Sequence, residues 1–405
     1  MEAPSWRLSA ARIAAGFLFI VIGFIFLRYL VGWNWPHAFF DARVLVRAID
    51  QVRTGHSPYD LIHGPRPDLN NLPLVYPPPI GWLVEGVART PVPLWLVEGM
   101  VFVSVVSGMV AGILSSVRLF FEFSTPRVIL YVGVFASLLA GSGVIAANTG
   151  NISSLFYGLA LATSLAGFGK GDWRYFHLVV LLATLFKPYF AALWIIPVLA
   201  SGWSWRQFWI STAAATAAAA VIGAVAAARP DLTAGWLTAV ASRIPVGDVG
   251  CGLYGLLHAR LGNAIGLAAH TAYMLVLLGM LGISETRGRM RYAALIVIAI
   301  AANPRLNSYD FAFANLPAFY IYGSRLEQLA RPERGPWLSL LAGLMAASWS
   351  ILWLPVFTTH YKIWRAEQDL WVILFLGGAV LLATQWRLFE AYFPNRRAVA
   401  ATAVG

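Results

Sequence analysis

Charged residues are scarce in this sequence. They make up 12% of the 405 residues, whereas hydrophobic residues make up 59%. An ordinary soluble domain carries about 25% charged residues. This shortage excludes a string of soluble domains and indicates that most of the chain lies in lipid.

Cysteine is nearly absent as well. Cys251 is the only one, so no disulfide can form within the chain. The sequence also has no P-loop, no cysteine and histidine cluster with metal-ligand spacing, and no Gly-rich dinucleotide motif. No metal or cofactor site is therefore predicted, and the energy for a reaction would come from an activated substrate. The net charge of +11 is concentrated in short connectors, where it sets membrane topology, so nucleic-acid binding is not predicted.

Long apolar runs are what the sequence has in quantity. They do not alternate as the strands of a membrane barrel do, so helices are predicted. We expect one all-α integral membrane domain over residues 1–405, with about twelve transmembrane helices. The predicted helices are Ile13–Leu30, Leu94–Val117, Val128–Ala146, Ile152–Phe168, Tyr175–Ala200 (two short helices meeting at Lys187-Pro188), Phe208–Ala227, Ala264–Ile283, Tyr292–Ala302, Phe311–Tyr322, Trp337–Pro355 and Leu370–Trp386.

Basic connectors predict the orientation of these helices, because positive residues are retained on the cytoplasmic side. The strongest markers are Arg7, Arg12, Arg287, Arg289, Arg291, Arg325, Arg331, Arg334, Arg387, Arg396 and Arg397. They predict a multi-pass protein of the cell membrane with both termini in the cytoplasm, in which Tyr76–Arg89 dips into the bilayer without crossing it. The predicted extracytoplasmic segments are 33–79, 148–151, 187–188, 229–262, 303–310 and 357–369.

The first extracytoplasmic segment, 33–79, contains a predicted amphipathic helix along the membrane surface, Phe39–Thr54. Asp41 lies at its start, where a carboxylate is favoured by the helix dipole. Asp41 is either an N-terminal cap or a general base held at the membrane surface. Arg43 lies on the same helix and is a candidate cation for a substrate phosphate.

Two further extracytoplasmic positions carry polar residues at helix ends. Lys187 interrupts an apolar stretch, where an ionisable side chain is costly and tends to be functional. It either binds a phosphate or carboxylate, or extends its ammonium to the interface. Asn148 and Asn151, in the sequence NTGN, either cap helices or contact a ligand.

The segment Asn303–Asp310, with the sequence NPRLNSYD, concentrates polar groups at a helix break. Arg305 could hold a phosphate with two hydrogen bonds, while Asn307, Tyr309 and Asp310 could bind hydroxyl groups. The alternative is an ion pair between Arg305 and Asp310 that closes the turn.

The connector 229–262 combines apolar residues with glycines, which predicts a mobile segment on the bilayer surface that could cover a lipid-linked substrate. His258 is a candidate ligand-facing residue within it. A lone histidine is more often structural, and that alternative stays open.

Taken in order, several motifs resemble glycosyltransferase family 87, within the GT-C superfamily. They are Asp41 with the following helix and GHSPYD, then YPPP, which begins at Tyr76, then NTGN near ISSLFYGLALA, LFKPY and NPRLNSYD. The resemblance extends over most of the chain.

This resemblance implies a GT-C-type bundle with extracytoplasmic juxtamembrane helices. It also implies an extracytoplasmic site that takes a hexosyl group, often mannosyl, from a polyprenyl-phosphate sugar. The acceptor would be a lipid-linked or cell-envelope glycan, and membrane lipid would surround the bundle. By the same resemblance, Asp41 matches the family's catalytic aspartate, Tyr59 its following loop, and Lys187 and Asp310 its later polar positions. Tyr59 and Tyr76, from these motifs, are candidate substrate-binding residues.

Two other functions remain open at the level of sequence. A transporter or flippase of a lipid-linked sugar would usually show internal repeats and polar residues near the middle of the membrane, and no repeat is evident. A non-catalytic membrane scaffold would need none of the polar residues individually.

Overall fold

The computed structural model describes residues 40–60, 73–120, 150–243, 250, 252–328 and 361–387. Within these ranges the chain forms helices and no strand, as predicted. The predicted helices Ile13–Leu30, Val128–Ala146 and Trp337–Pro355 lie outside the described residues, as do Asn148 and both termini. The α-helices are α1 Phe40–Arg53, α2 Pro78–Ala88, α3 Leu94–Phe120, α4 Ile152–Lys170, α5 Arg174–Phe186, α6 Ile195–Leu199, α7 Trp205–Ala228, α8 Pro230–Arg243, α9 Leu253–Leu261, α10 Asn263–Ile283, α11 Gly288–Ala301, α12 Ser308–Gln328 and α13 Tyr361–Thr384.

Four of these helices are long and apolar enough to cross a membrane, which makes this a membrane protein. They are α3, α4, α7 and α10. The chain also contains shorter helices. One of them, α5, is followed by a 3-10 helix, Pro188–Trp194, and then by α6. This is the predicted break at Lys187-Pro188, although its second half begins as a 3-10 helix rather than as an α-helix.

Helix α11 forms the centre of the bundle. Every residue from Arg291 to Ala301 is buried, so this apolar run packs against protein on all sides. The sequence predicted it as a transmembrane helix, and its 14 residues span only about 21 Å. A fully buried helix needs no polar face, which is why its sequence resembles that of a helix in lipid.

Helices α3 and α4 run side by side in the same direction and pack closely through glycines. A Cβ atom on Gly158 would collide with the backbone of Gly108, and one on Gly112 would lie 2.8 Å from the Cα of Gly158. Small residues let two membrane helices approach until their backbones touch. At the far ends of both helices, Phe120 and Phe168 pack on the ring of Tyr292 in α11.

Helix α2 is held against the junction of α7 and α8 by a charged contact. Arg229 donates to both carboxylate oxygens of Glu85, at 2.6 and 2.8 Å, and also pairs with Asp231. The 11 residues of α2 are too few to cross a bilayer, and the dip of Tyr76–Arg89 into the membrane stays a prediction.

The described residues of the connector 229–262 are largely helical. It contains α8 and α9, of which α8 begins with Pro230 and carries Asp231 in its first turn. Proline at the first position and an acid in the first turn both favour helix initiation. Within the connector, Gly250 adopts a positive φ of 77° and packs its backbone on that of Arg305.

The bundle has two distinct ends. At one end lie the start of α1, the start of α4, Lys187 and the turn between α11 and α12; we call it the carboxylate end, after Asp41 and Asp310. At the other end lie the turn between α10 and α11 and the C-terminal ends of α12 and α13. We call it the arginine end, after Arg287, Arg289, Arg325 and Arg387.

Candidate functional site

Asp41 and Asn151 meet at the carboxylate end, although 110 residues separate them in the chain. Asn151 caps α4, because its Oδ1 accepts from the backbone N–H of Ser153 at 2.9 Å. With its orientation thus set, its Nδ2 donates to Asp41 Oδ2 at 2.7 Å. The predicted capping role of Asn151 is confirmed, and the cap also presents a donor to Asp41, which lies in the first turn of α1.

Lys187 joins the same group because proline ends α5. The residue before a proline is pushed out of the α region, and Lys187 has an extended backbone with φ −145° and ψ 108°. Its ammonium donates to Asn151 Oδ1 and to Ser153 Oγ, both at 2.7 Å. The rings of Tyr76 and Tyr189 lie 5.6 and 5.9 Å from the same ammonium, within the range of cation–π attraction.

Asp310 supplies a second carboxylate from the turn before α12. Its Oδ2 accepts from Asn303 Nδ2 and from the backbone N–H of Asn307, each at 3.2 Å. The turn is thus closed by contacts of Asp310 with Asn303 and Asn307. The sequence-based alternative had assigned this role to an ion pair between Arg305 and Asp310. The Asp310 side chain is fully buried, and its Oδ1 accepts no hydrogen bond from the described residues.

The charged side chains of Asp41, Lys187 and Asp310 interact electrostatically. The carboxylates of Asp310 and Asp41 both attract the Lys187 ammonium, and the Arg305 guanidinium lies near enough to oppose its positive charge. We refer to Asp41, Asn151, Ser153, Lys187, Tyr189 and Asp310 as the Lys187 cluster. The Lys187 ammonium is partly buried and is held directly by Asn151 and Ser153. A cation withdrawn from water in this way depends on its partners.

The two acids of this cluster differ in access. Asp41 is partly exposed, whereas Asp310 has no exposed surface. Asp41 can therefore exchange a proton with a bound molecule, while Asp310 is suited to hold the cation and the turn. A carboxylate can take a proton from a hydroxyl group, and a nearby cation can stabilise the negative charge on a departing group. The Lys187 cluster contains both kinds of side chain.

Tyr76 and Tyr59 were both predicted to bind substrate, and the structure places them differently. The ring of Tyr76 borders the Lys187 cluster. The buried hydroxyl of Tyr59 donates to the carbonyl oxygens of Tyr76 and Pro77, at 2.9 and 3.2 Å. Its ring fits between glycines, since a Cβ on Gly81 or Gly235 would meet it. Burial raises the pKa of the Tyr59 phenol, so this hydroxyl stays protonated and acts as a donor.

Other predicted positions make contacts elsewhere. Arg43 donates to Glu98 Oε1 at 3.0 Å, which ties α1 to the start of α3. His258 lies in the hairpin of α9 and α10, with its ring 5.2 Å from that of Tyr254. Tyr309 lies in the first turn of α12. Asn307 contributes through its backbone, as described for Asp310.

Sequence reasoning missed three residues of this region: Ser153, Tyr189 and Asn303. The hydroxyls of Ser153 and Tyr189 lie 2.9 Å apart, and Ser153 also receives Lys187. Each of the three lies within two residues of a position that was singled out, or at the edge of the same motif. Proximity to a helix cap or to a proline break was the available signal. Within the described part of the chain, no group of histidine, cysteine, aspartate or glutamate is arranged to hold a metal ion.

No protein-family model, no curated protein and no solved structure matches this chain.

Proposed function

We propose that this protein is an inverting glycosyltransferase that moves a hexosyl group, such as mannosyl, from a polyprenyl phosphate to a lipid-linked or cell-envelope glycan. The observation that carries the proposal is the Lys187 cluster. It brings together Asp41, Asn151, Lys187 and Asp310, which come from separate motifs of the resemblance to glycosyltransferase family 87. The proposal includes a GT-C-type bundle of about twelve transmembrane helices.

In the proposed reaction Asp41 acts as general base. An acceptor hydroxyl forms a bond from its oxygen to the anomeric carbon of the donor sugar, and its proton passes to the Asp41 carboxylate. The bond from the anomeric carbon to the phosphate oxygen breaks, and its electron pair leaves with polyprenyl phosphate. One displacement inverts the anomeric centre, so a second carboxylate acting as nucleophile is not required.

The cations of the site fit the leaving group. Negative charge grows on the phosphate as the glycosidic bond breaks, and a nearby ammonium or guanidinium stabilises that charge. The positive charges of Lys187 and Arg305 oppose one another, and a bound phosphate would relieve that repulsion. Both are therefore assigned to the phosphate of the donor. Arg43, the third cation considered from the sequence, is paired with Glu98 and is assigned to holding α1 in place.

The distribution of charge supports an extracytoplasmic position for this site. Basic residues at the arginine end are Arg118, Lys170, Arg174, Arg206, Arg287, Arg289, Arg325 and Arg387. Arg287 and Arg289 lie in or next to the short turn between α10 and α11, and positive residues in short connectors favour the cytoplasmic side. The Lys187 cluster lies at the opposite end of the bundle. Trp203, Trp205 and Trp209 are exposed near the start of α7, as in the aromatic belt of a membrane interface.

The test is transfer by the purified protein in liposomes. Wild type receives a panel of polyprenyl-phosphate sugars with a membrane glycolipid extract, and mass spectrometry detects both the elongated glycolipid and released polyprenyl phosphate. We expect Asp41→Asn to lower the rate about 100- to 10,000-fold, because it removes the base while keeping an oxygen that accepts from Asn151.

Asp50→Asn is the matched control, since Asp50 is an exposed acid on the same helix. It should stay within about twofold of wild type, as a surface substitution away from the site. Full activity of Asp41→Asn would disprove the assignment of the base. If intact donor crossed the bilayer without forming any product, the protein would be a transporter instead.

A further inference from the structure

A second polar site lies at the arginine end, away from the Lys187 cluster. A cavity of about 830 Å³ opens where the turn between α10 and α11 meets the ends of α12 and α13. Helix α11 begins beside this cavity and ends at the turn that holds Asp310, so its 14 residues separate the two sites by about 21 Å.

Positive charge dominates the walls of this cavity. Its lining includes Arg287, Arg289, Arg325 and Arg387, against Glu285 as the acid. Glu285 forms an ion pair with Arg387, so the described lining carries four guanidinium groups and one carboxylate. The Arg287 guanidinium has no hydrogen-bond or ion-pair partner among the described residues, and its side chain is exposed.

One arginine of the cavity wall is held in a fixed orientation by its neighbours, so the cavity is a defined feature of the fold. Arg325 donates from Nε to the carbonyl of Leu382 at 3.2 Å and from Nη2 to that of Ala383 at 2.9 Å. Its guanidinium lies 5.1 Å from the ring centre of Trp386. Thr286 anchors the opposite wall by donating to the same Ala383 carbonyl at 2.5 Å.

Helix geometry adds a further attraction for anions. Gly288, with a φ of 60°, turns the chain into α11, and Arg287 precedes the first turn. The free backbone N–H groups and the positive dipole at the start of a helix favour an anion. Neutral donors complete the lining, among them Ser324 and Thr384.

We infer that this cavity binds the phosphate group of an anionic ligand. A planar guanidinium matches phosphate with two parallel hydrogen bonds, which an ammonium does not, and 26 of the 29 basic residues in the chain are arginine. The orientation of helices in the membrane explains why positive residues occur near this end of the bundle. It does not require several arginines to converge on one concave space, as these do.

The same phosphate chemistry has two sources, a lipid headgroup and free inorganic phosphate. Purified full-length protein in nanodiscs of phosphatidylcholine with a minor fraction of phosphatidylglycerol is released into native mass spectrometry, and retained lipids are counted. A second arm adds inorganic phosphate before release. Retained phosphatidylglycerol that resists phosphate assigns the site to a lipid headgroup, and displacement by millimolar phosphate assigns it to free phosphate.

Arg287→Gln with Arg289→Gln is the test variant, and Arg118→Gln is the control. Arg118 is exposed at the same end, on α3 and outside the cavity lining. The double variant should lose about tenfold or more in bound anion, because each charge-assisted contact is worth at least that factor, while Arg118→Gln retains it. Equal retention by wild type and the double variant, or no preference for phosphatidylglycerol or phosphate in wild type, overturns the inference.

Discussion

The two ends of this bundle use charge in opposite ways. At the carboxylate end, Asp310 is fully buried and is hydrogen-bonded within its own turn, while Lys187 donates to Asn151 and Ser153 on another helix. At the arginine end, Arg287 in the turn between α10 and α11 and Arg387 just after α13 are both exposed. Enclosed charges are costly and survive where each has a partner, whereas exposed ones cost little. A charge at the first end is therefore coupled to its neighbours, and one at the second is largely independent.

Removing one cation from each end tests this difference most directly. Lys187→Met removes the ammonium that donates to Asn151 and Ser153 and that attracts the carboxylates of Asp41 and Asp310, so we expect a loss of about 1.5–3 kcal/mol in the free energy of unfolding. Arg287→Gln should change it by no more than about 0.5 kcal/mol. Unfolding of both variants in sodium dodecyl sulfate, followed by circular dichroism, measures the two values. Similar losses would show that the two ends are not distinguished by coupling.

A glycine contact joins α3 and α4, two parallel helices that each run from the carboxylate end to the arginine end. Gly158→Ala places a methyl group against the backbone of Gly108, and overpacking of this kind costs about 1–3 kcal/mol. Gly169 is the control on the same helix, since a Cβ there meets nothing within 4 Å. Gly169→Ala should leave stability unchanged or raise it by about 0.5–1 kcal/mol. The same unfolding assay applies, and a neutral Gly158→Ala would refute the close approach of these helices.

Tyr59 tests whether every predicted residue of the carboxylate end takes part in chemistry. Tyr59→Phe removes hydrogen bonds to the carbonyls of Tyr76 and Pro77, and we expect it to cost about 1 kcal/mol of stability. The rate of sugar transfer at saturating donor should stay within about twofold of wild type, because the hydroxyl is used within the fold. A rate loss larger than the change in folded protein explains would return Tyr59 to the list of substrate contacts.

Arg43 should give the smallest effect at this end. Its ion pair with Glu98 is partly exposed on both sides, and such pairs contribute about 0.2–1 kcal/mol. Arg43→Gln should therefore lower the thermal midpoint slightly and leave donor affinity unchanged. Weakened binding of a polyprenyl phosphate, measured by native mass spectrometry, would place Arg43 among the phosphate contacts after all.

The local features of the carboxylate end could be read from sequence with some success. The amphipathic helix predicted over Phe39–Thr54 is α1, Phe40–Arg53, and the break at Lys187 follows from the proline after it. Asn151 caps α4 because its amide is next to the first turn. Each of these depends on a few neighbouring residues, so the sequence alone carries the information.

Helices α7 and α11 mark the limit of such reasoning, since both are apolar and both were predicted to cross the membrane. Of the most apolar stretch of α7, 11% is buried inside the bundle, whereas α11 is buried from Arg291 to Ala301. Hydropathy does not separate them, because lipid tails and a protein core offer an apolar side chain nearly the same environment.

What the amino-acid order by itself determined is therefore a helical membrane protein with its helix breaks, caps and the uneven placement of its basic residues. Tertiary structure alone decided which polar residues share a site. Asn151 reaches Asp41 and Lys187 together, while Arg43 turns to Glu98 and Tyr59 to backbone carbonyls. These contacts join residues between 17 and 110 positions apart. They depend on how the helices pack in space, which spacing along the chain does not reveal.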